Sequence, residues 1–370
     1  MPDDCKTRRA LVNSKALVLI VPGRLETRSG GYEYDRRIVT GLRGRGWSVE
    51  VQEVGESFPQ PTPAALDHAA RVLAAIPDGT TVVIDGLALG ALPVEAEREA
   101  LRLRLVALVH LPLADEIGVD RDTAVRLEAS ERRALAAVAL VVVTGKAMTE
   151  ALLRYGVWRN RIAVVEPGTD RAPVARGSGG PSLQLLSAAA LTPRKGHEIL
   201  IRALAMIPHR SWHLTCAGSL DRDPPTVDRV RARVHGEGLE DRVSLIGELD
   251  GEALGGYYDR ADVFVLATLH ESYCMAVAEA LAHGLPVVST TTGAIPELVG
   301  AGRNWETPAG LLVPPGDVDA LTAALSKLVG EAGLRDQLAE GARRVRDRLP
   351  TWDDAVDKMA AALAVLNDVG

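Results

Sequence analysis

Two glutamates eight positions apart, Glu271 and Glu279, stand in the stretch ESYCMAVAEA, with the apolar runs DVFVLAT before it and GLPVVST after it. An unpaired carboxylate in such surroundings costs several kcal/mol, so the pair implies partners or a ligand. With a helix beginning near Tyr273, Glu279 lies about two turns beyond Glu271, roughly 12 Å along the axis at 1.5 Å per residue. That is the span from hexose to ribose in a nucleotide sugar. The diphosphate between them would rest on the free backbone N–H groups of Tyr273, Cys274 and Met275, at the positive end of the helix. The plainer alternative makes Glu271 a cap and Glu279 a helix-face residue paired with an arginine.

A second segment bears on this choice. LTPRKGHEIL places Arg194 and Lys195 beside Gly196 where another helix should start. Cations are unfavourable at a positive helix end unless an anion joins them. The chain has only six lysines among its 42 Lys and Arg residues, so a lysine here is not the product of a general preference. Elsewhere, Gly30 and Gly31 in GRLETRSGGYEYDRRIV follow a strand-like run, where missing side chains let backbone approach a phosphate or sugar. His110 closes the run LVALVHLPL, either as a structural residue or as a hydrogen-bonding group for a ligand. Asp221 and Asp223 in LDRDPP form an Asp-x-Asp pair, but in a proline-rich loop unsuited to a metal site. No metal and no bound cofactor is expected.

The elements that must hold these residues are legible in the alternation of short β-branched runs with amphipathic helical stretches. That is the pattern of parallel sheets covered by helices on both faces. At 370 residues the chain suits two domains. Six strand-like runs, from ALVLIVPG to RIAVVEPG, make the first half, and six more, from LQLLSAAA to AGLLVPPGD, make the second. The stretch DRAPVARGSGGPS, residues 170–182, reads as the linker, with a boundary near 175. We expect domains at residues 1–172 and 181–350, and a last helix at 351–370 packing back on the first. In such sheets ligands bind beyond the carboxyl ends of the strands, and two facing domains would enclose a cleft.

Composition excludes several classes. Apolar residues make up 47% and charged residues 25%, ordinary for a globular enzyme. A formal charge of −7 argues against nucleic acid as a partner. Three scattered cysteines, Cys5, Cys216 and Cys274, fit a reducing cytoplasm better than a disulfide framework. The longest apolar run, residues 134–143, is half of what a bilayer span needs, and the acidic start MPDD is unlike a signal peptide. Without a G-x-G-x-x-G fingerprint, a dehydrogenase is disfavoured.

The segments AALTPRKGHEILIRALA, ATLHESYCMAVAEALAHGLPVVSTTTGAIPELV and AGLLVPPGDVDALTAAL resemble the C-terminal domain of the retaining family 4 glycosyltransferases. Those enzymes have the GT-B fold, an α/β architecture of two Rossmann-like doubly wound domains facing across a cleft. Glu271 and Glu279 match the ends of the family's E-x7-E motif, and Gly293 to Glu297 match its Gly-Ile-Pro-Glu segment. The resemblance implies transfer of a hexosyl unit from a nucleotide diphosphate sugar, by default a UDP sugar, to an acceptor hydroxyl with retained anomeric configuration and no metal. It further implies that Glu271 contacts the donor sugar, Glu279 the ribose, and an Arg/Lys pair the diphosphate. Gly30 and Gly31 would face the donor, His110 would lie near the reacting sugar, and the loop around Glu248 and Leu249 would contact the base. One position departs: the family's usual arginine, five residues before the lysine, is Ala190 here. Arg194 is then the substitute. An epimerase or hydrolase on the same scaffold, or a non-catalytic sugar-nucleotide-binding subunit, stays open as an alternative.

Overall fold

The computed structural model describes residues 15–207, 211–300 and 308–367; Cys5 and the chain start lie outside them. The chain divides into two compact units, one running to Pro167 and resumed from Trp352, the other spanning Gly168–Thr351.

The first unit carries a parallel sheet of β1 (Ala16–Pro22), β2 (Ser48–Val54), β3 (Thr81–Asp85), β4 (Arg104–Val109), β5 (Leu140–Val143) and β6 (Ile162–Val164), in the order β2-β1-β3-β4-β5-β6. Continuous apolar runs form the inner strands because a parallel sheet is covered on both faces, whereas β2 at the edge alternates as SVEVQEV. In β1, Leu17, Leu19 and Val21 face one apolar cluster, while Val18 and Ile20 face the other. Ser29 caps the helix Gly30–Gly44 by accepting the Tyr32 N–H. The final helix, Trp352–Asn367, lies against it, and Gly41 makes the approach possible, since a Cβ there would sit 2.3 Å from Val356 Cγ2. Val356, Met359 and Leu363 thereby join the first unit's core.

The second unit is built likewise from β7 (Leu183–Ala188), β8 (Trp212–Ala217), β9 (Val243–Gly247), β10 (Val263–Val265), β11 (Val287–Thr290) and β12 (Gly310–Val313). Its order is β12-β11-β10-β7-β8-β9, which places β7 and β10 side by side at the point where the winding reverses. Loops leaving two adjacent strands in opposite directions open a crevice there.

Residues 170–182 do not behave as a free linker. Ala175 N–H donates to His283 O at 2.8 Å, Gly177 N–H to Asp259 O at 3.0 Å, and Ser178 N–H to Asp262 Oδ1 at 2.9 Å. The composition that suggested a linker supplies backbone N–H groups unencumbered by bulky side chains, and these dock on the second unit. The break between units accordingly falls at Pro167/Gly168.

Candidate active site

Beyond β7 the chain makes a single 3-10 turn, Pro193–Lys195, and reverses through left-handed Gly196 (φ +68°) into the helix His197–Ala205. A Cβ at Gly196 would lie 2.0 Å from Ala267 O. Glycine is therefore what lets this turn lie against the segment following β10. Leu269 N–H donates to Arg194 O at 2.8 Å and ties the two loops together.

The contact sets Lys195 Nζ 2.5 Å from Glu271 Oε1, the same oxygen that accepts the Thr268 hydroxyl at 2.8 Å. Arg194 Nη1 lies 3.3 Å from Glu271 Oε2 and donates to His270 O at 2.9 Å. Glu271 is only 5% exposed. Burial pushes its carboxyl up, but the charges of Lys195 and Arg194, with hydrogen bonds from Lys195 and Thr268, outweigh burial and hold it below the usual range. The buried glutamate's partners are thus the two cations, with Arg194 reaching it although Ala190 stands at the family's arginine position. Gly293 (φ +56°) supports the turn from behind, since a Cβ there would meet Glu271 O at 2.2 Å.

The helix carrying Glu279 starts at Met275, two residues later than the sequence reading. Cys274 precedes it at φ +77°, the one non-glycine residue with positive φ among those described. This strained conformation turns the chain so that Cys274 O accepts the N–H groups of Val277 and Ala278. The N–H groups outside the helical ladder are therefore those of Met275 and Ala276. The Tyr273 and Cys274 side chains are buried, and burial pushes the Cys274 thiol up to about 12, so it is no nucleophile. Glu279 is half-buried and accepts the Tyr258 hydroxyl at 3.2 Å. Glu248 is exposed and Leu249 half-buried just after β9, at the far edge of the sheet. Asp223 accepts the Thr226 N–H at 2.9 Å and caps the helix Pro224–Gly236.

In the first unit His110 follows β4, and Asp85 ends the neighbouring strand β3. His110 Nε2 is 3.1 Å from Asp35 Oδ1 and 3.5 Å from Asp85 Oδ2; both acids are buried. Burial raises the Asp85 carboxyl to about 7, reinforced by Asp35 and opposed by His110. Burial lowers the imidazole, but the Asp35 charge and hydrogen bond, together with Asp85, outweigh it and raise His110. Gly31 makes room for this ring, because a Cβ there would lie 3.3 Å from His110 Cδ2; Gly30 is exposed beside it. One ligand atom from each of Asp35, Asp85 and His110 lies within 4.8 Å of the others, an arrangement a divalent cation could also use.

The sequence reading missed Asp35, Asp85 and Thr268. Asp85 had a usable signal: it closes TVVID as His110 follows RLVALV, so adjacent parallel strands bring the two together. Asp35, four residues after Gly31, sits one helical turn along the same face.

Residues 170–345 match the family Glycosyl transferases group 1. The chain is 28% identical over 332 residues to an MMP alpha-(1->4)-mannosyltransferase of Mycolicibacterium hassiacum, covering 85% of this chain and 78% of that protein. It is 30% identical over 250 residues to a D-inositol 3-phosphate glycosyltransferase of Xylanimonas cellulosilytica, covering 63% of this chain and 58% of the relative. Among solved structures, the sucrose-phosphate synthase of Thermosynechococcus elongatus superposes with a TM-score of 0.80 at 20% identity, covering 96% of this chain and 100% of the other. Anabaena Alr3699/HepE in complex with UDP-glucose gives 0.74 at 18% identity, covering 95% and 99%. The match to the glycosyl transferases group 1 family is thus carried by the second unit, and the two doubly wound parallel sheets are those of the GT-B fold.

Proposed function

We propose that this glycosyltransferase moves a hexosyl unit from a nucleoside diphosphate sugar to an acceptor hydroxyl, with retention and without a metal. The donor is held by the second unit and the acceptor by the first. The observation that carries the reading is the buried contact of Lys195 and Arg194 with Glu271 at the reversal between β7 and β10. The names of the relatives above, a mannosyltransferase and an inositol-phosphate glycosyltransferase, support the hexosyl class and a hydroxyl-bearing acceptor. UDP sugars are the first donors to try, since UDP-glucose is named for a structural neighbour.

When the nucleotide departs, negative charge grows on its β-phosphate. Lys195, Arg194 and the N–H groups of Met275 and Ala276 are the preorganised positive groups that would receive it. Before the donor binds, Glu271 keeps both cations in place; afterwards its carboxylate accepts hydroxyls of the sugar, while Glu279 accepts those of the ribose. A carboxylate already in contact with two cations and a hydroxyl is a poor nucleophile. This favours front-face attack, in which the leaving phosphate takes the acceptor's proton, over a covalent glycosyl intermediate on Glu271.

Two buried free cysteines, Cys216 and Cys274, fit a reducing cytoplasm. No described helix is long and apolar enough to cross a membrane.

The test is incubation of the purified chain with a panel of nucleotide sugars, with and without hydroxyl-bearing acceptors. Nucleotide release accelerated by an acceptor, yielding a product of unchanged anomeric configuration, is expected. Equal turnover without acceptor would identify a hydrolase or epimerase instead, and a trapped adduct on Glu271 would contradict front-face attack.

A further inference from the structure

The Asp35–His110–Asp85 cluster calls for its own explanation. Three polar side chains at one end of an apolar sheet are costlier than three apolar ones of similar volume, so packing alone does not account for them. Asp35 is 1% exposed and its Oδ2 has no hydrogen-bond partner among the described residues. Both carboxylates address the same ring nitrogen, Nε2, the position at which a ring proton meets two acceptors. Nδ1 makes no hydrogen bond to any described residue, and the side chain as a whole is 22% exposed. The ring is held in place by Tyr34, edge-on at 5.4 Å between ring centroids, and by the backbone of Gly31. The Tyr34 hydroxyl donates to Val165 O and so points away from the imidazole.

We infer that Asp35 and Asp85 are positioning residues for His110. They grip its Nε2–H from two elements, the helix after β1 and the end of β3, and leave Nδ1 as the one nitrogen available to the carbohydrate. The inference rests on the reading of this chain as a transferase whose His110 touches substrate, and it adds the two acids that orient the ring. With Nε2–H fixed and two carboxylates favouring the charged ring, Nδ1–H is a donor toward a sugar or acceptor oxygen. The charged and titratable groups facing the ring are Asp35 and Tyr34 from the helix and Asp85 from the strand.

The test is ¹⁵N NMR of the full chain labelled at histidine, with His110→Gln to assign the resonance. In wild type the ring should carry its proton on Nε2 and titrate above free imidazole, and Asp35→Asn should move that titration to lower pH. In parallel, Asp35→Asn and Asp85→Asn should each lower kcat by about 10- to 100-fold, leave the donor KM within about twofold, and shift the alkaline limb of the pH profile downward. A purely structural role would reduce the melting temperature without moving that limb. If Asp35→Asn does not fold, Asp85→Asn and the wild-type spectrum still decide the question. A neutral ring that carries its single proton on Nδ1, or a titration indifferent to both acids, overturns the inference. So does a His110 resonance perturbed by micromolar Mg²⁺, Mn²⁺ or Zn²⁺, because the cluster would then be a cation site. Because the NMR arm needs no turnover, an Nε2–H ring in a chain that transfers no sugar would uphold the grip and overturn the transferase reading alone.

Discussion

Replacing Lys195 by methionine keeps length and removes charge, leaving the 5% exposed Glu271 with Arg194 at 3.3 Å and the Thr268 hydroxyl. Breaking a buried ion pair from one side costs about 3–5 kcal/mol. Because Arg194 stays, the lower end, about 3 kcal/mol, is the expected loss. Converting the surviving carboxylate to an amide removes the uncompensated charge, so Lys195→Met/Glu271→Gln should recover to within about 1 kcal/mol of wild type, about 2 kcal/mol more stable than Lys195→Met. Turnover should not recover: one preorganised group at a developing charge is worth about 10² to 10³ in rate. Denaturant titrations read on the fluorescence of Trp212, buried in the second unit's core, give the stabilities, and nucleotide release gives the turnover. Sign is a further check. Glu271 has a lowered folded-state pKa, so its contribution is complete above its ordinary value of 4.5 and is lost as pH falls through the folded value. Lys195→Met should lose that acid-side dependence. A double variant no more stable than Lys195→Met would refute the reasoning.

Gly196→Ala should cost about 3 kcal/mol or more in the same titration, since its Cβ meets backbone at 2.0 Å and its φ is +68°, and it should abolish donor binding by displacing Lys195. Gly44→Ala, with nothing within 4 Å of the added carbon, is the control and should change stability by less than about 1 kcal/mol. His197 is 2% exposed, neither ring nitrogen has a hydrogen-bond partner among the described residues, and burial with the nearby Lys195 charge lowers it from 6.5 to about 4. The folded state therefore resists protonation, and stability is unaffected above pH 6.5. It should fall by about 3 kcal/mol between pH 6.5 and 4, at 1.36 kcal/mol per unit. His197→Leu should remove that dependence, which matched titrations at pH 7 and 4.5 will show.

Strands were the most legible level. Each of the 12 strand-like runs forms a strand; the inner ones read as continuous apolar stretches because a parallel sheet buries both their faces, while the edge strand SVEVQEV alternates. Boundaries that depend on unusual backbone were less so: the helix after Glu271 starts at Met275 because Cys274 adopts φ +77°, and no propensity foretells a cysteine there. Residues 170–182 misled because Gly, Pro and Ser content reports the freedom of a segment in isolation, not whether neighbouring carbonyls and carboxylates will dock it. Within the site, Glu271, Arg194 and Lys195 were visible as charges set next to apolar runs. Their mutual contact was not, since it depends on the β7–β10 pairing of strands some 80 positions apart. Asp35 and Asp85 each read as an ordinary acid until the sheet order brought both to His110.

Whether a nucleotide sugar is held at Lys195, Glu271 and Glu279 is tested most directly by calorimetric titration of nucleoside diphosphate sugars into wild type and Lys195→Ala. At least one donor should bind wild type with a dissociation constant at or below the millimolar range and bind Lys195→Ala at least tenfold more weakly, the variant remaining folded. Equal affinity for both proteins, or no binding of any donor to wild type, would contradict it.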